Sequence, residues 1–413
     1  MSPLVACLDV GSTWTKLAVV DTATGTLVAT DAHPTTLHTD VLDGVDTLLH
    51  RAGPVGSVRC CSSAGGGLRL AVVGYETLVS AEAGHRVALS AGARVVHLAA
   101  GPMTAAAVTD LQRARPDVVL LVGGTDGGDT DVIVHNADRL ATARLRVPVV
   151  VAGNTDARDT AVAALTAAGV PTTATGNVLP RIGVIDPGPA RAAIRDVFLR
   201  HVIGGKHLSR GPRFARLVRA ATPDAVHTAV EVLADTLGRA LLVVDVGGAT
   251  TDVYSALVPT GEDRAAPGRA DVAGILWRAR TVEGDLGVTW SADGTDTAAA
   301  LEKLDPPAGT DPDLRRAALA TTIAVRRHAR TGRDLRDVRL VVASGGVYRH
   351  APPGQARAAL DLTLHDHAGG WALPAAPKVV VDTAYVLAPA GLLAADHPDA
   401  AAALLRHHLL DGT

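Results

Sequence analysis

Two stretches of this 413-residue chain combine an acid, glycines and hydroxyls at a spacing that suits phosphate chemistry. Leu241-Leu-Val-Val-Asp-Val-Gly-Gly-Ala-Thr-Thr-Asp-Val-Tyr254 begins as an apolar strand, passes through Asp245, Gly247, Gly248, Thr250 and Thr251, and resumes as a strand. The glycines permit the positive φ of a hairpin turn and clear side chains away from amides that an anion would reach. Thr250 and Thr251 add hydroxyl donors. Asp245, at the strand end, is placed to hold a hydrated Mg2+, an ion that prefers oxygen ligands and keeps its waters. Such turns also close ordinary hairpins, but the N-terminus repeats the device. Leu4-Val-Ala-Cys-Leu-Asp-Val-Gly-Ser-Thr-Trp-Thr-Lys-Leu-Ala-Val-Val20 sets Asp9 in the place of Asp245, with Gly11, Ser12 and Thr13 in the turn. Lys16 comes next, in a chain rich in arginine whose four lysines are Lys16, Lys206, Lys303 and Lys378. It is either a point charge for a phosphate or a lysine on the exposed face of the second strand.

A third apolar strand, Val338 to Val347, ends in Ser344-Gly345-Gly346, where a flat adenine and ribose can lie against bare backbone. Glu283 and Asp285, beside glycines in Val282-Glu-Gly-Asp-Leu-Gly287, read either as a cleft wall that orients an attacking water or as an acidic turn. The three glycines of Cys61-Ser-Ser-Ala-Gly-Gly-Gly-Leu68 imply a close backbone approach, by a neighbouring strand or by a nucleotide. Gly123-Gly-Thr-Asp-Gly-Gly128 sits at the carboxyl end of an apolar strand, where open α/β sheets bind ligands, but it lacks the GxGxxG spacing. A tight structural turn and a ligand or partner contact both fit it.

Composition and hydrophobic period indicate the frame that carries these residues. The length exceeds what one core usually holds, and a repeat half a chain apart predicts two similar halves around a shared cleft. With 47% hydrophobic and 2% aromatic residues, the core has to be Val, Leu, Ile and Ala. Net charge of -3 gives no electrostatic reason for nucleic acid to bind. Apolar runs stay below the roughly 18 residues of a membrane span, so no membrane association and a cytoplasmic location are expected. Cys7, Cys60 and Cys61 read as strand packing rather than redox or metal groups. Residues 94 to 170 alternate strand and helix as an inserted α/β subdomain. A helix from Pro187 carries Ile194, Phe198, Leu199 and Val202 and is expected to break at Gly204-Gly205. Another starts with Thr222-Pro223 as cap and first position and ends at Gly238. Pro259 to Gly268 is the best surface-loop candidate. The expected domains are 1–220, with the insertion at about 94–170, then 221–385, and a C-terminal helix in 386–413 packing back on the first domain.

Two phosphate hairpins and then a Gly-Gly strand end resemble the actin, Hsp70 and sugar-kinase ATPases. Asp9 to Lys16, Cys61 to Leu68, Gly123 to Asp129, Asn177-Val-Leu-Pro180, Asp245 to Asp252 and Val282 to Gly287 together resemble the MutL family of glutamate mutase (methylaspartate mutase) accessory proteins. That family is unrelated to the mismatch-repair protein of the same name. The resemblance covers nearly the whole chain. It implies an α/β protein of the actin-like (ribonuclease H-like) ATPase fold, with two similar domains around a nucleotide cleft. It further implies an ATP-dependent reactivating chaperone that releases damaged cobalamin from an adenosylcobalamin-dependent mutase, with the mutase subunits as partners and a homodimer left open. On this reading Asp9 and Asp245 hold Mg2+ through water. Gly11, Ser12, Thr13, Gly247, Gly248, Thr250 and Thr251 bind phosphates, Gly345 and Gly346 face the adenosine, and Lys16 and Glu283 assist catalysis. Closure of the two halves on ATP is the motion transmitted to the partner. Asp31-Ala-His33 lacks the glycine of a DxHxxG cobalamin motif, so the chain itself is not expected to bind cobalamin. A small-molecule kinase and a 2-hydroxyacyl-CoA dehydratase activator share the fold and stand as alternatives.

Overall fold

Short Val- and Leu-rich runs separated by glycine turns become fifteen strands among the described residues of the computed structural model. It describes residues 3–64, 66–143, 145–205, 207–258, 276–307, 311–352, 354–366 and 370–411. The expected loop at Pro259 to Gly268 lies outside the described residues. In chain order the first strands are β1 (Leu4–Val10), β2 (Trp14–Asp21), β3 (Thr26–Pro34), β4 (Ser57–Ser62) and β5 (Leu68–Gly74). Next come β6 (Ala93–Ala100), β7 (Val118–Leu121), β8 (Val149–Val151), β9 (Thr172–Ala174) and β10 (Val218–Ala221). The last are β11 (Leu241–Val246), β12 (Thr251–Ala256), β13 (Arg278–Glu283), β14 (Leu340–Ser344) and β15 (Lys378–Val381).

They form three sheets, ordered β10-β4-β1-β2-β3, β13-β12-β11-β14-β15 and β6-β5-β7-β8-β9. The first two are the same sheet built twice. In each, three consecutive strands lie side by side, a fourth then adds in parallel beside the first, and a fifth in parallel beside the fourth. That order, repeated in one chain, is the actin-like ATPase fold. It places the carboxyl ends of β1 and β11, with Asp9 and Asp245, each beside a parallel neighbour: Asp9 stands in register with Cys61, and Asp245 with Ser344.

The third sheet is parallel throughout. Its order is that of a flavodoxin-like doubly wound sheet, second, first, third, fourth, fifth. It begins at Leu68 and ends at Ala174, wider than the expected 94 to 170, because β5 belongs to it and not to a hairpin with β4. Its inner strands β5, β7 and β8 are buried on both faces. Leu68, Leu70 and Val72 join the core that also contains Leu8, Val10 and Val45, while Ala71 and Val73 pack with Ile133, Leu140 and Leu165. A strand covered on both sides reads as a continuous apolar run for this reason.

Among the described residues the chain divides into two compact units, 3–19 with 31–225 and Leu276, and 20–30 with 226–258 and 277–411. The division at 225/226 falls inside the helix Thr222–Leu237, not at 220/221, and residues 386–411 group with the second unit. In that unit the β2–β3 turn meets the C-terminal helix Pro398–Leu405: a Cβ on Gly25 would lie 2.5 Å from the Cβ of Ala403. The helix Gly188–Val197 continues through a wider turn at Phe198–Val202 into Ile203–Gly205, with Ile194, Phe198, Val202 and Ile203 buried, and among the described residues it goes no further than the expected glycine pair.

One buried base is held neutral in the second unit. His328, on the helix Pro312–Arg330, is fully buried, with Nδ1 2.9 Å from Thr281 Oγ1 and Nε2 2.8 Å from Ser255 Oγ. Burial, with a smaller contribution from the charge of Arg333, pushes its pKa well below the ordinary 6.5. The unfolded chain therefore binds a proton at this position that the folded protein refuses. Stability should fall as pH drops below about 6.5, with at most ~1.4 kcal/mol per pH unit coming from this ring. Urea unfolding of the wild type and His328→Gln between pH 5 and 8 checks this: the variant should show the shallower pH slope, and equal slopes would reject the assignment.

Candidate functional site: two glycine turns

The first turn joins β1 to β2. The Gly11 N–H donates to the Trp14 carbonyl at 3.1 Å. Thr35, just past β3, takes two of the turn's acceptors: its N–H donates to Thr13 O at 2.9 Å and its hydroxyl to Gly11 O at 2.8 Å. Ser12 and Thr13 are exposed, and among the described residues their amides meet no protein acceptor. Behind them Asp9 is buried. Its Oδ1 accepts from Thr222 Oγ1 at 2.6 Å and lies 3.6 Å from Cys61 Sγ, while Oδ2 is 3.5 Å from Lys16 Nζ. Lys16 is thus the partner of Asp9, a third reading beside the two that the sequence allowed. Cys7, Cys60 and Cys61 are all buried strand residues, and burial raises each thiol pKa, that of Cys7 to about 12.

The second turn, between β11 and β12, is tied back in the same way by different residues. The Gly247 N–H donates to Thr250 O at 2.9 Å. Val288 N–H donates to Gly247 O at 3.1 Å, and Thr289 and Trp290 N–H groups to Gly248 O at 2.9 and 2.7 Å. Ser291 Oγ donates to Ala249 O at 2.7 Å. The amides of Gly248, Ala249 and Thr250 have no protein acceptor among the described residues. The second turn therefore has its carbonyls occupied, the first has those of Gly11, Thr13 and Trp14 occupied, and both have several amides unused among the described residues. That combination makes an electropositive concavity suited to an anion.

The structure redistributes the other predicted residues. Thr251 is fully buried and gives its only hydroxyl proton to Leu286 O at 3.0 Å, so it braces the hairpin and is not a phosphate donor. Thr250 stays at the turn, 3.5 Å from Asp252 Oδ2. The segment Val282 to Gly287 is part of the brace, since a Cβ on Gly287 would lie 2.5 Å from Gly248 O. Glu283 and Asp285 both pair with Arg327, at 2.7 and 2.8 Å from Nη1. Burial raises the Glu283 pKa against the opposing pull of Arg327. Its carboxylate is engaged by that guanidinium. Gly345 has φ 106°, and a Cβ there would collide with the Val246 carbonyl, whereas Gly346 faces open space. Gly345 therefore serves close packing of β14 on β11, and only Gly346 offers bare backbone outward. Gly66 and Gly67 have positive φ with nothing near a built Cβ, so their turn needs the conformation and not a close approach.

The Gly123 to Gly128 segment is a tied turn. Asn154 Nδ2 donates to Gly128 O and Asp129 O at 3.1 and 3.0 Å, and Asn177 Nδ2 to Gly124 O and Asp126 Oδ1 at 3.0 and 2.9 Å. The Asp126 N–H in turn donates to Pro180 O at 3.1 Å, so Asn177 to Pro180 is the clamp for this loop. Sequence reasoning missed the bracing roles of Thr35, Asn177, Ser291 and Arg327. Thr35 and Ser291 each lie a short way past the third strand of their half, and that shared position is a signal from which both could have been found.

Residues 5–319 and 309–409 match the family profile described as MutL protein. The chain belongs to the MutL family. Protein MutL of Clostridium tetanomorphum is 32% identical over 467 residues, covering 98% of this chain and 98% of that protein. Among solved structures, a nucleotide-free acetone carboxylase overlays with TM-score 0.40 and 13% identity over 96% of this chain and 71% of the other. An activator of 2-hydroxyisocaproyl-CoA dehydratase from Clostridium difficile with bound ADPNP gives 0.33 and 10% over 96% and 95%. A xylulose kinase from Bifidobacterium adolescentis gives 0.36 and 12% over 98% and 93%. Overlays at that level say nothing about chemistry; the fold of this MutL-family chain rests on its strand orders. No helix among the described residues is long and apolar enough to cross a membrane.

The bracing of the second turn is directly testable. Gly287→Ala should cost about 1–3 kcal/mol of unfolding free energy by overpacking against Gly248. Gly346→Ala should cost little, having nothing within 4 Å to meet. Paired denaturant melts should separate the two, and a neutral Gly287→Ala would refute the brace.

Proposed function

We propose that this MutL-family protein is an ATP-dependent reactivating factor for an adenosylcobalamin-dependent mutase of the glutamate mutase type. The observation that carries the nucleotide part is the pair of equivalent turns with most carbonyls occupied and several amides unused, each beside a strand-end aspartate. The donors of each turn, taken by themselves, suit the phosphate oxygens of a Mg2+-nucleotide. Backbone amides of Ser12, Thr13, Gly248, Ala249 and Thr250 are hard donors for phosphate oxygens, Ser12 and Thr13 add exposed hydroxyls, and Gly346 leaves room for a flat ring. Asp9 and Asp245 would hold Mg2+ through its waters; when bound, that ion neutralises phosphate charge and polarises the transferring phosphoryl group. Lys16 lies close enough to Asp9 to exchange its carboxylate for a phosphate oxygen. Membership of the MutL family supports the mutase as partner. The chemical logic is that a radical enzyme holding a damaged cofactor tightly needs an energy source to release it.

Mg-ATP or Mg-ADP should raise the melting temperature, since a ligand for the folded state alone stabilises it by about 2.7 kcal/mol at a hundredfold excess over its Kd. Asp9→Asn and Asp245→Asn should each remain folded and lower ATP turnover at least ~100-fold, because each removes charge where transition-state stabilisation is electrostatic. Absence of any shift at millimolar nucleotide would remove the ATPase reading.

The partner is tested by reconstitution. A glutamate-mutase-type enzyme blocked with cyanocobalamin should regain activity when this protein, Mg-ATP and fresh adenosylcobalamin are added together, and not when any one is omitted. A non-hydrolysable ATP analogue should fail, because it can shift a conformational equilibrium once but cannot reset it. Recovery without the protein would defeat the chaperone role. ADP production stimulated by a small metabolite would favour a kinase instead.

A further inference from the structure

One side chain near the first turn comes from a position some two hundred residues later in the sequence. Thr222 directly succeeds β10 and opens the helix Thr222–Leu237. Sequence spacing suggests a helix cap, yet its hydroxyl proton goes to Asp9 Oδ1 at 2.6 Å, with both residues buried. Cys61 Sγ lies 3.6 Å from the same oxygen and 3.7 Å from Leu8 O, with one thiol proton between the two acceptors, and burial keeps that thiol protonated. The other oxygen, Oδ2, faces Lys16. The two carboxylate oxygens are therefore unlike: one is held from β4 and the helix start, the other is presented on the β2 side. The terminal torsion of an aspartate is broad and two-fold, so a carboxylate without such a holder samples both orientations.

We propose that Thr222 is a positioning residue that pins Oδ1 of Asp9 and so presents Oδ2, beside Lys16, to the hydrated Mg2+ of a bound nucleotide. The proposal rests on the nucleotide reading of Asp9 given above. Thr222 does not itself reach the nucleotide. Its effect is on the orientation of a metal-directed carboxylate, and loss of such an outer partner typically costs about 10- to 100-fold in metal affinity or activity.

The experiment measures melting temperature with fixed ATP over a Mg2+ series for the wild type, Thr222→Val and Thr222→Ser, alongside crystal structures of the nucleotide-free wild type and Thr222→Val. In Thr222→Val the Mg2+ concentration for half-maximal ATP stabilisation should rise about tenfold or more, while Thr222→Ser, which keeps the hydroxyl, stays close to the wild type. The Asp9 carboxylate should be in one orientation in the wild type and rotated or split in the valine variant. If Thr222→Val does not fold, Thr222→Ala, with less bulk at the same position, carries the same two readouts. An unchanged Mg2+ requirement together with an unmoved Asp9 overturns the proposal and leaves the nucleotide reading intact. A wild type that ATP does not stabilise at any Mg2+ concentration removes the nucleotide reading and this proposal with it.

Discussion

A tight turn carries as many backbone acceptors as donors, and the two glycine turns of this protein use them unequally. Thr35 takes the Gly11 and Thr13 carbonyls of the first, and residues 288 to 291 those of Gly247, Gly248 and Ala249 in the second. The unused amides face outward, where water satisfies them at little cost and an anion can replace it. Without the bracing segments the carbonyls would point as freely as the amides and the turn would be electrically neutral to a ligand. The sheets, the helices beneath them and the close packing at Gly287 and Gly345 all serve to keep those carbonyls occupied.

The duplicated frame has diverged in its chemistry. Asp9 is buried among Thr222, Cys61 and Lys16, whereas Asp245 is half-buried beside Ser344. At the hairpin position where the first half has Lys16, the second has Asp252, and Asp252 is taken up in a buried pair with Arg280, at 2.7 Å from its Nε. The same topology thus sets a cation beside one strand-end acid and an ion pair below the other. Two acids at equivalent positions are not interchangeable in such a site, because the charges around each differ in sign and distance.

The motifs that identify the family divide into two kinds on the structure. Asp9 to Lys16 and Asp245 to Asp252 are the turns themselves. Val282 to Gly287 and Asn177 to Pro180 are clamps, the first holding the second phosphate turn and the second holding the Gly123 to Asp129 loop of the parallel sheet. A clamp is as intolerant of substitution as a ligand contact when it closes on backbone with no spare room, which is why the two kinds look alike as strings of Gly, Asp and Asn.

The sequence alone determined the strands of the two hairpins, the later strand ending in Gly345-Gly346, and the repetition of the hairpins. Apolar period, glycine turns and the acid at each strand end are local properties that survive without any knowledge of neighbours. It also identified the inserted α/β unit, though not that β5 starts it, because a strand's partner is chosen by packing and not by its own residues. What only the tertiary structure decided is where each side chain's hydrogen bond goes. Thr250 and Thr251 are adjacent and chemically identical, yet one stays at the turn and the other is buried against Leu286, because successive residues of a strand face opposite sides. Glu283 reads either as a water-orienting group or as part of an acidic turn, and only the fold brings Arg327, 44 residues on, to pair with it. Thr222 reads as a helix cap until the parallel placement of β10 beside β4 brings it to Asp9. Such pairings depend on strand order and register, which join residues far apart in the chain and leave no mark on the local sequence of either.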